Sequence, residues 1–431
     1  MRLTWVQPED LLPHQLVQAR SEGVDVTDVQ ARWIAAGGTT DAPVSGASAE
    51  PATPALRALA RELLDVLDAR TAPWSAPEIP ELPSLGAPVD LETRTLNAWL
   101  GRAAGNLLGK PVEKIPREGI REILASSGQW PLTRYITAIG VPDDVQRRWP
   151  WNRRSKPTSL REVIDGMPED DDLNFAILAL LMLERYGRGL STEDVAQSWL
   201  SDLPAGRVFT AERVAYRNLL EGVEPARAAV VGNPFREWIG AQIRTDVYGW
   251  AHPGDRTAAA RLALVDARLS HTGAGVDGAL WVAAMSAAAL VLDDPVKAAI
   301  AGLDVLGQGA IARAVRFGLG LADAELDEAL DALHAEYGDL HWVHAVNNTA
   351  LAAYALTAPD FGTAIGRAVM GGWDTDSVGA TVGAVFGATR GVPAEWSTPL
   401  DNRVATSLPG MNQIAIGELA RRTVEVARGG V

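Results

Sequence analysis

Carboxylates gather at three places in the chain, each at the edge of a helix-forming segment. Glu113 lies just past a Gly109-Lys110-Pro111 stop. Glu169-Asp170-Asp171-Asp172 follow Gly166-Met167-Pro168 and open the very apolar stretch LNFAILALLMLERYG. Asp374-Thr375-Asp376-Ser377 come after a Gly-Gly turn and lead into a glycine-rich segment. One Asp or Ser at a helix start satisfies orphan amides and complements the dipole for about 1 kcal/mol. Capping therefore accounts for one acid per cluster and leaves the others unexplained.

Consecutive acids repel each other, and an apolar helix draws them towards the interior. Like charges crowded at a buried helix end call for a cation or for raised pKa values. The chain has no cysteine, which excludes disulfides, zinc–thiolate sites and a cysteine nucleophile. Carboxylate and hydroxyl oxygens favour a hard ion such as Mg²⁺, Mn²⁺ or Ca²⁺.

The elements that must position these groups are helices. Periodicity near 3.6 recurs over residues 91–109, 170–186, 257–270, 276–293, 295–318, 322–336, 346–356, 362–369, 377–390 and 411–427, and alternating strand-like stretches are scarce. The fold class expected is all-α, a large helical bundle. Two of these segments carry glycine every fourth residue: Gly101, Gly105 and Gly109, and Gly379, Gly383 and Gly387. A mid-helix glycine costs roughly 1 kcal/mol relative to alanine, so six of them require a reason. Spacing by four places each set on one face and permits close backbone approach to another helix. Such packing would fix the helix ends beside the acids within the tolerance of a metal site.

Outside the bundle, residues 1–90 read as an N-terminal helical appendage. It holds a Gly/Ser/Thr/Pro-rich linker (37–54), a second helix near 54–70 and a Pro-rich extended stretch. Residues 91–431 form the main domain. Within it, 128–160 breaks the rhythm with Trp130, Trp149 and Trp151 and the basic run Arg147, Arg148, Arg153, Arg154 and Lys156. This is either a surface insertion packed by its aromatics or a lid offering cationic and stacking groups to a nucleotide-like ligand.

A formal charge of −15 argues against a nucleic-acid partner. The start of the chain lacks a signal-peptide pattern, and no apolar run is long enough for a bilayer. A cytoplasmic protein without a membrane partner is expected. No GxSxG, P-loop or dinucleotide fingerprint is present.

The order and spacing of the clusters match a known family. GNLLGKPVE (105–113) resembles the "GDxxGxPxE" segment of ADP-ribosylglycohydrolases, EDDD with its apolar helix (169–184) resembles their "TDDT" helix, and GGWDTDSVGATVGAVFGATRG (371–391) resembles their "GGDTDT" signature with its following glycines. The resemblance covers roughly residues 95–425 and implies a single-domain all-α fold with two Mg²⁺ in a central cleft. It further implies a ribosidic bond, N- or O-linked, hydrolysed in an ADP-ribosyl conjugate or a smaller nucleoside-like compound. Glu113 and Asp171 are then the catalytic carboxylates, and Glu169, Asp170, Asp171, Asp374, Asp376 and Ser377 the metal ligands. Glu169 and Asp172 stand where the family has threonine, so the ligand set could slide by one. Asn106 stands where aspartate is common.

In the middle of the chain, NPFREWIGAQIRTDVYGWAHPGD (233–255) replaces the family's glycine-rich ADP-ribose loop. That segment and HAVNNTAL (344–351) resemble a bacterial branch of the family. Arg244, Asp246, His344 and Asn347 are the substrate-binding candidates. Their structural alternatives are a buried salt bridge for the first pair and a hydrogen-bonded core network for the second. A non-catalytic binding protein and a two-metal phosphohydrolase are the competing functions.

Overall fold

In a computed structural model, residues 3–429 of the chain are described. Among them are twenty-two α-helices and one two-stranded antiparallel pair, Arg403–Val404 with Ile414–Ala415. The architecture is all-α. Many helices start where the sequence places a capping side chain: Asp90 accepts from the Thr93 amide, Asp294 from Val296 and Lys297, and Asp360 from Thr363. At Ser191 a reciprocal capping box forms with Asp194.

At the centre lies the helix Gly273–Ala289, with 15 of its residues buried. A helix apolar all round can only be an interior element, and the Ala-rich sequence lets its neighbours come close. Around it pack Arg256–Ala267, Asp246–Trp250, Pro295–Gly302 and Thr375–Arg390. The periodic stretch 295–318 is two helices, not one: Pro295–Gly302 and Ala310–Leu319, divided near Gly307 and Gly309.

The two glycine ridges face each other. A β-carbon built on Gly101 would lie 2.0 Å from the Gly383 carbonyl oxygen, and one on Gly105 would lie 1.9 Å from that of Gly379. On Gly109 it would lie 2.3 Å from the Thr375 carbonyl group. As one number rises the other falls, so Leu91–Gly109 and Thr375–Arg390 run antiparallel with backbones in contact. The C-terminus of the first therefore meets the N-terminus of the second. There the Thr375 hydroxyl donates to the Gly109 carbonyl at 2.9 Å, satisfying an orphan acceptor of the helix end.

Residues 3–90 lie against the main body. Trp5 meets Phe235 and Trp238 edge-on, with centroids at 5.3 and 5.8 Å. Gln18 Nε2 donates to Glu237 at 2.9 Å, the Gly232 amide donates to Asp68 at 2.6 Å, and Leu82 N donates to the Thr257 hydroxyl at 3.0 Å. The Gly/Ser-rich stretch is irregular but pinned, with Trp5 N donating to the Gly46 carbonyl at 2.6 Å and the Ser48 hydroxyl to Asp10 at 2.7 Å. No helix among the described residues is long and apolar enough to cross a membrane.

Candidate metal centre

Three helix ends converge on one acidic cleft: the end of Leu91–Gly109 and the starts of Asp171–Tyr186 and Thr375–Arg390. Asn106, fully buried, ties two of them together. Its amide donates to Asp170 Oδ1 at 3.0 Å and to Asp172 Oδ2 at 2.7 Å, while its Oδ1 has no partner. Ser377 Oγ donates to Asp172 Oδ1 at 3.2 Å and joins the third end to the second. Lys110 reaches in from the turn after Gly109 and ion-pairs with Asp170. Glu113 accepts from Asn152 Nδ2 at 2.7 Å and pairs with Lys114 at 3.2 Å.

The loop before Asp374 is set by two features. Gly372 has φ +76°, and a β-carbon there would lie 2.6 Å from the Arg117 backbone, so the turn admits only glycine. Asn348 Oδ1 then accepts the Asp374 amide at 3.1 Å.

Burial, and after it the neighbouring carboxylates, push Asp171, Asp172, Asp374 and Asp376 well above the usual carboxylate range. For Asp376 the chief neighbours are Glu113 and Asp170, and for Asp374 the neighbour is Asp376. Burial would strip Lys110 of its proton, but Asp170, Asp376 and Glu113 outweigh it and hold the ammonium charged. Lys110, with Lys114 on Glu113, faces six acids, namely Glu113, Asp170, Asp171, Asp172, Asp374 and Asp376. Their joint ionisation requires further positive charge. The donors are all oxygen, and the orphaned Asn106 Oδ1 adds one more. By charge and donor type the residues fit a hard divalent cation. Among the described residues no three His, Asp or Glu groups already close on a single point.

A model of the ADP-ribosylglycohydrolase family matches residues 87–429. The chain belongs to this family. An uncharacterized protein of Archaeoglobus fulgidus is 26% identical over 323 residues, which cover 73% of this chain and 93% of the relative. Among solved structures, an ADP-ribosylglycohydrolase-related protein complex is similar with a TM-score of 0.48 and 22% identity, over 79% of this chain and 99% of that one.

Within this family member, the residues expected as ligands divide. Asp170, Asp171, Asp374, Asp376 and Ser377 come together in the cleft with Glu113. Glu169 does not, because its carboxylate turns outward to Arg207 (3.0 Å) and the Asn174 amide (2.9 Å). Asp172 points inward instead: it lies in the first turn of the helix and is held by Asn106 and Ser377, whereas Glu169 precedes the helix.

The substrate-binding candidates lie elsewhere. Arg244, 1% exposed, binds Asp266 and Glu212 at 2.7 Å each and Ser270 at 2.9 Å, between the rings of Phe175 and Trp199. Asp246 is the buried partner of Arg102, whose other nitrogen donates to the Asp172 carbonyl at 3.0 Å. Both are core ion pairs, and the cleft-lining role expected for them is corrected accordingly. His344 caps the helix Ala345–Ala355 by accepting from Val346 N at 3.2 Å, and Asn347 donates to the His341 carbonyl at 3.2 Å. These two also hold backbone. Their neighbour Asn348 reaches the site through the Asp374 amide. Lys110 and Asn152 escaped notice in the sequence: one reads as part of a helix stop, and the other lies 39 residues from the glutamate it binds.

Proposed function

We propose that the protein is a metal-dependent glycoside hydrolase that cleaves an N- or O-ribosidic bond. Family membership supports hydrolysis of a glycosidic bond, and the observation that carries the metal dependence is the convergence of six carboxylates and an orphaned amide oxygen on three helix ends, with only Lys110 and Lys114 to offset them. Two Mg²⁺ held among Asp170, Asp171, Asp172, Asp374, Asp376 and Ser377 would supply Lewis acidity, anchoring a ribose diol and lowering the pKa of a water.

The chain's own residues have separate tasks in this reading. Asn106 and Ser377 aim Asp172, and Lys110 holds Asp170, so these carboxylates are oriented before any ligand arrives. Asp171, raised by burial and by Asp170, is partly open to solvent, whereas Asp170 and Asp172 are buried. In this reading it is the candidate to pass a proton to a leaving group or take one from a water. Glu113, steadied by Asn152, adds negative charge facing the oxocarbenium-like transition state.

Ribose release from a panel of ribosides, with free phosphate followed in parallel, tests the reading. Asp374→Ala and Asp376→Ala should each lower kcat by at least a hundredfold, and chelation should abolish turnover and lower Tm. Turnover and Tm both indifferent to chelation refute metal dependence, while phosphate release without ribose release refutes the glycosidic bond as the target.

A further inference from the structure

The turn that presents Asp374 and Asp376 follows the helix Phe361–Met370, whose last carbonyls have no partner within the helix. Gly371, at that helix end, finds its partner far along the chain. His334 Nε2 lies 2.8 Å from the Gly371 carbonyl oxygen, across 37 residues of sequence. A carbonyl only accepts, so Nε2 carries the imidazole proton and donates it. The same ring stacks on the buried Trp373, with centroids 4.4 Å apart and planes 24° from parallel. His334 therefore grips the turn at Gly371 and at Trp373, on either side of Gly372 with its φ of +76°.

The helix that carries His334, Leu326–Tyr337, is seated by the buried Leu330 and Leu333 and by Asp331, which pairs with Arg117 at 2.6 Å. Arg117 is also the residue whose backbone a side chain at position 372 would strike. Beyond Trp373, Asn348 accepts the Asp374 amide at 3.1 Å. The turn is thus held at one end by His334 and at the other by Asn348, and Asp374 follows directly on Trp373. Among the described residues His334 bonds to none of the cleft's six acids, so its effect on them passes through the turn. Removing a group that orients metal ligands from behind costs about 10–100-fold in metal affinity or activity.

We propose that His334 is a positioning residue for the metal centre: by donating to Gly371 and stacking on Trp373 it fixes the turn that sets Asp374 and Asp376. The role in metal binding rests on the metal-dependent reading above, whereas the pinning of the turn does not. Three variants separate the contributions. His334→Phe keeps a ring against Trp373 and loses the donor. His334→Gln keeps an N–H donor at the end of its side chain and loses the ring. Glu336→Gln alters an exposed residue of the same helix and serves as the control.

Hydrogen–deuterium exchange of the full-length protein in EDTA reads the turn itself. The amides of residues 372–374 should exchange at least tenfold faster in H334F than in wild type, and within about threefold of wild type in H334Q and E336Q. Calorimetric titration of the same proteins with Mn²⁺ reads the metal centre. Affinity should fall at least tenfold in H334F, and stay within about threefold of wild type in H334Q and E336Q. Should H334F not fold, His334→Asn, whose amide is too short to reach Gly371, takes its place with the same expectations.

Unchanged exchange at 372–374 in H334F overturns the pinning. Faster exchange with Mn²⁺ affinity unmoved overturns the positioning role, as does a loss of affinity in H334Q equal to that in H334F. A wild-type chain that takes up no Mn²⁺ overturns the metal-dependent reading and this role within it together, and the exchange rates still decide whether His334 fixes the turn.

Discussion

Gly105→Ala is a sharp probe of how the cleft is built. A β-carbon at position 105 would lie 1.9 Å from the Gly379 carbonyl oxygen and 2.5 Å from its carbon. Ordinary contact begins at 3.4 Å, so the two helices must separate by about 1.5 Å. Both partners are backbone and cannot rotate away. Alanine returns about 1 kcal/mol of helix propensity, whereas overpacking of a tight interior costs about 1–3 kcal/mol or more. Separation would also strip contacts along the whole ridge, from Gly101–Gly383 to Gly109–Thr375. A net loss of about 2–4 kcal/mol is expected.

The same displacement moves Lys110 and Glu113 relative to Asp374 and Asp376, and misplacement by about 1 Å can cost a hundredfold in rate. Scanning calorimetry with ribose-release kinetics reads both effects. Gly206→Ala, where nothing lies within 4 Å of the added carbon, serves as the control. Tm and kcat within error of the Gly206→Ala values would refute the claim that glycine contact sets the cleft.

Three other perturbations test separate parts of the account. Lys110→Met removes the ammonium buried against Asp170, and should lower stability in EDTA by about 3–5 kcal/mol, the usual cost of one broken buried pair, with partial recovery of Tm on adding Mg²⁺. Arg244→Ala strands Glu212 and Asp266 in the core and should likewise cost about 3–5 kcal/mol in denaturant titrations; a raised KM without lost stability would restore Arg244 to the cleft. Burial lowers His14 from 6.5 to about 4. Because the folded value lies below the unfolded one, its contribution is complete above pH 6.5 and is lost as pH falls towards 4, by up to about 3 kcal/mol. His14→Phe should flatten that limb of the stability–pH curve, and an unchanged slope would contradict it.

The three acidic clusters and both glycine ridges are legible in the sequence because each is a local pattern on a single helix, and spacing by three or four fixes a face. What the face meets is not a local property. Nothing near Gly101 points to Gly383, and nothing near Asn152 points to Glu113. The inward turn of Asp172 and the outward turn of Glu169 depend on Asn106, Ser377 and Arg207, which lie on other segments. Arg244 and Asp246 misled for a physical reason: a turn without apolar periodicity resembles an exposed loop, yet this one is roofed by Phe175 and Trp199 and neutralised by its own ion pairs. The same polar residue types serve an open site and a satisfied core network, and only the partners distinguish them.

The central claim is that the converged carboxylates hold divalent cations. Isothermal titration of the EDTA-stripped protein with Mn²⁺, beside Asp374→Ala/Asp376→Ala, tests it most directly. The account predicts two ions per wild-type chain, displaced by excess Mg²⁺, and loss of at least one of them in the double variant. No saturable uptake by wild type, or identical uptake by wild type and variant, would contradict it.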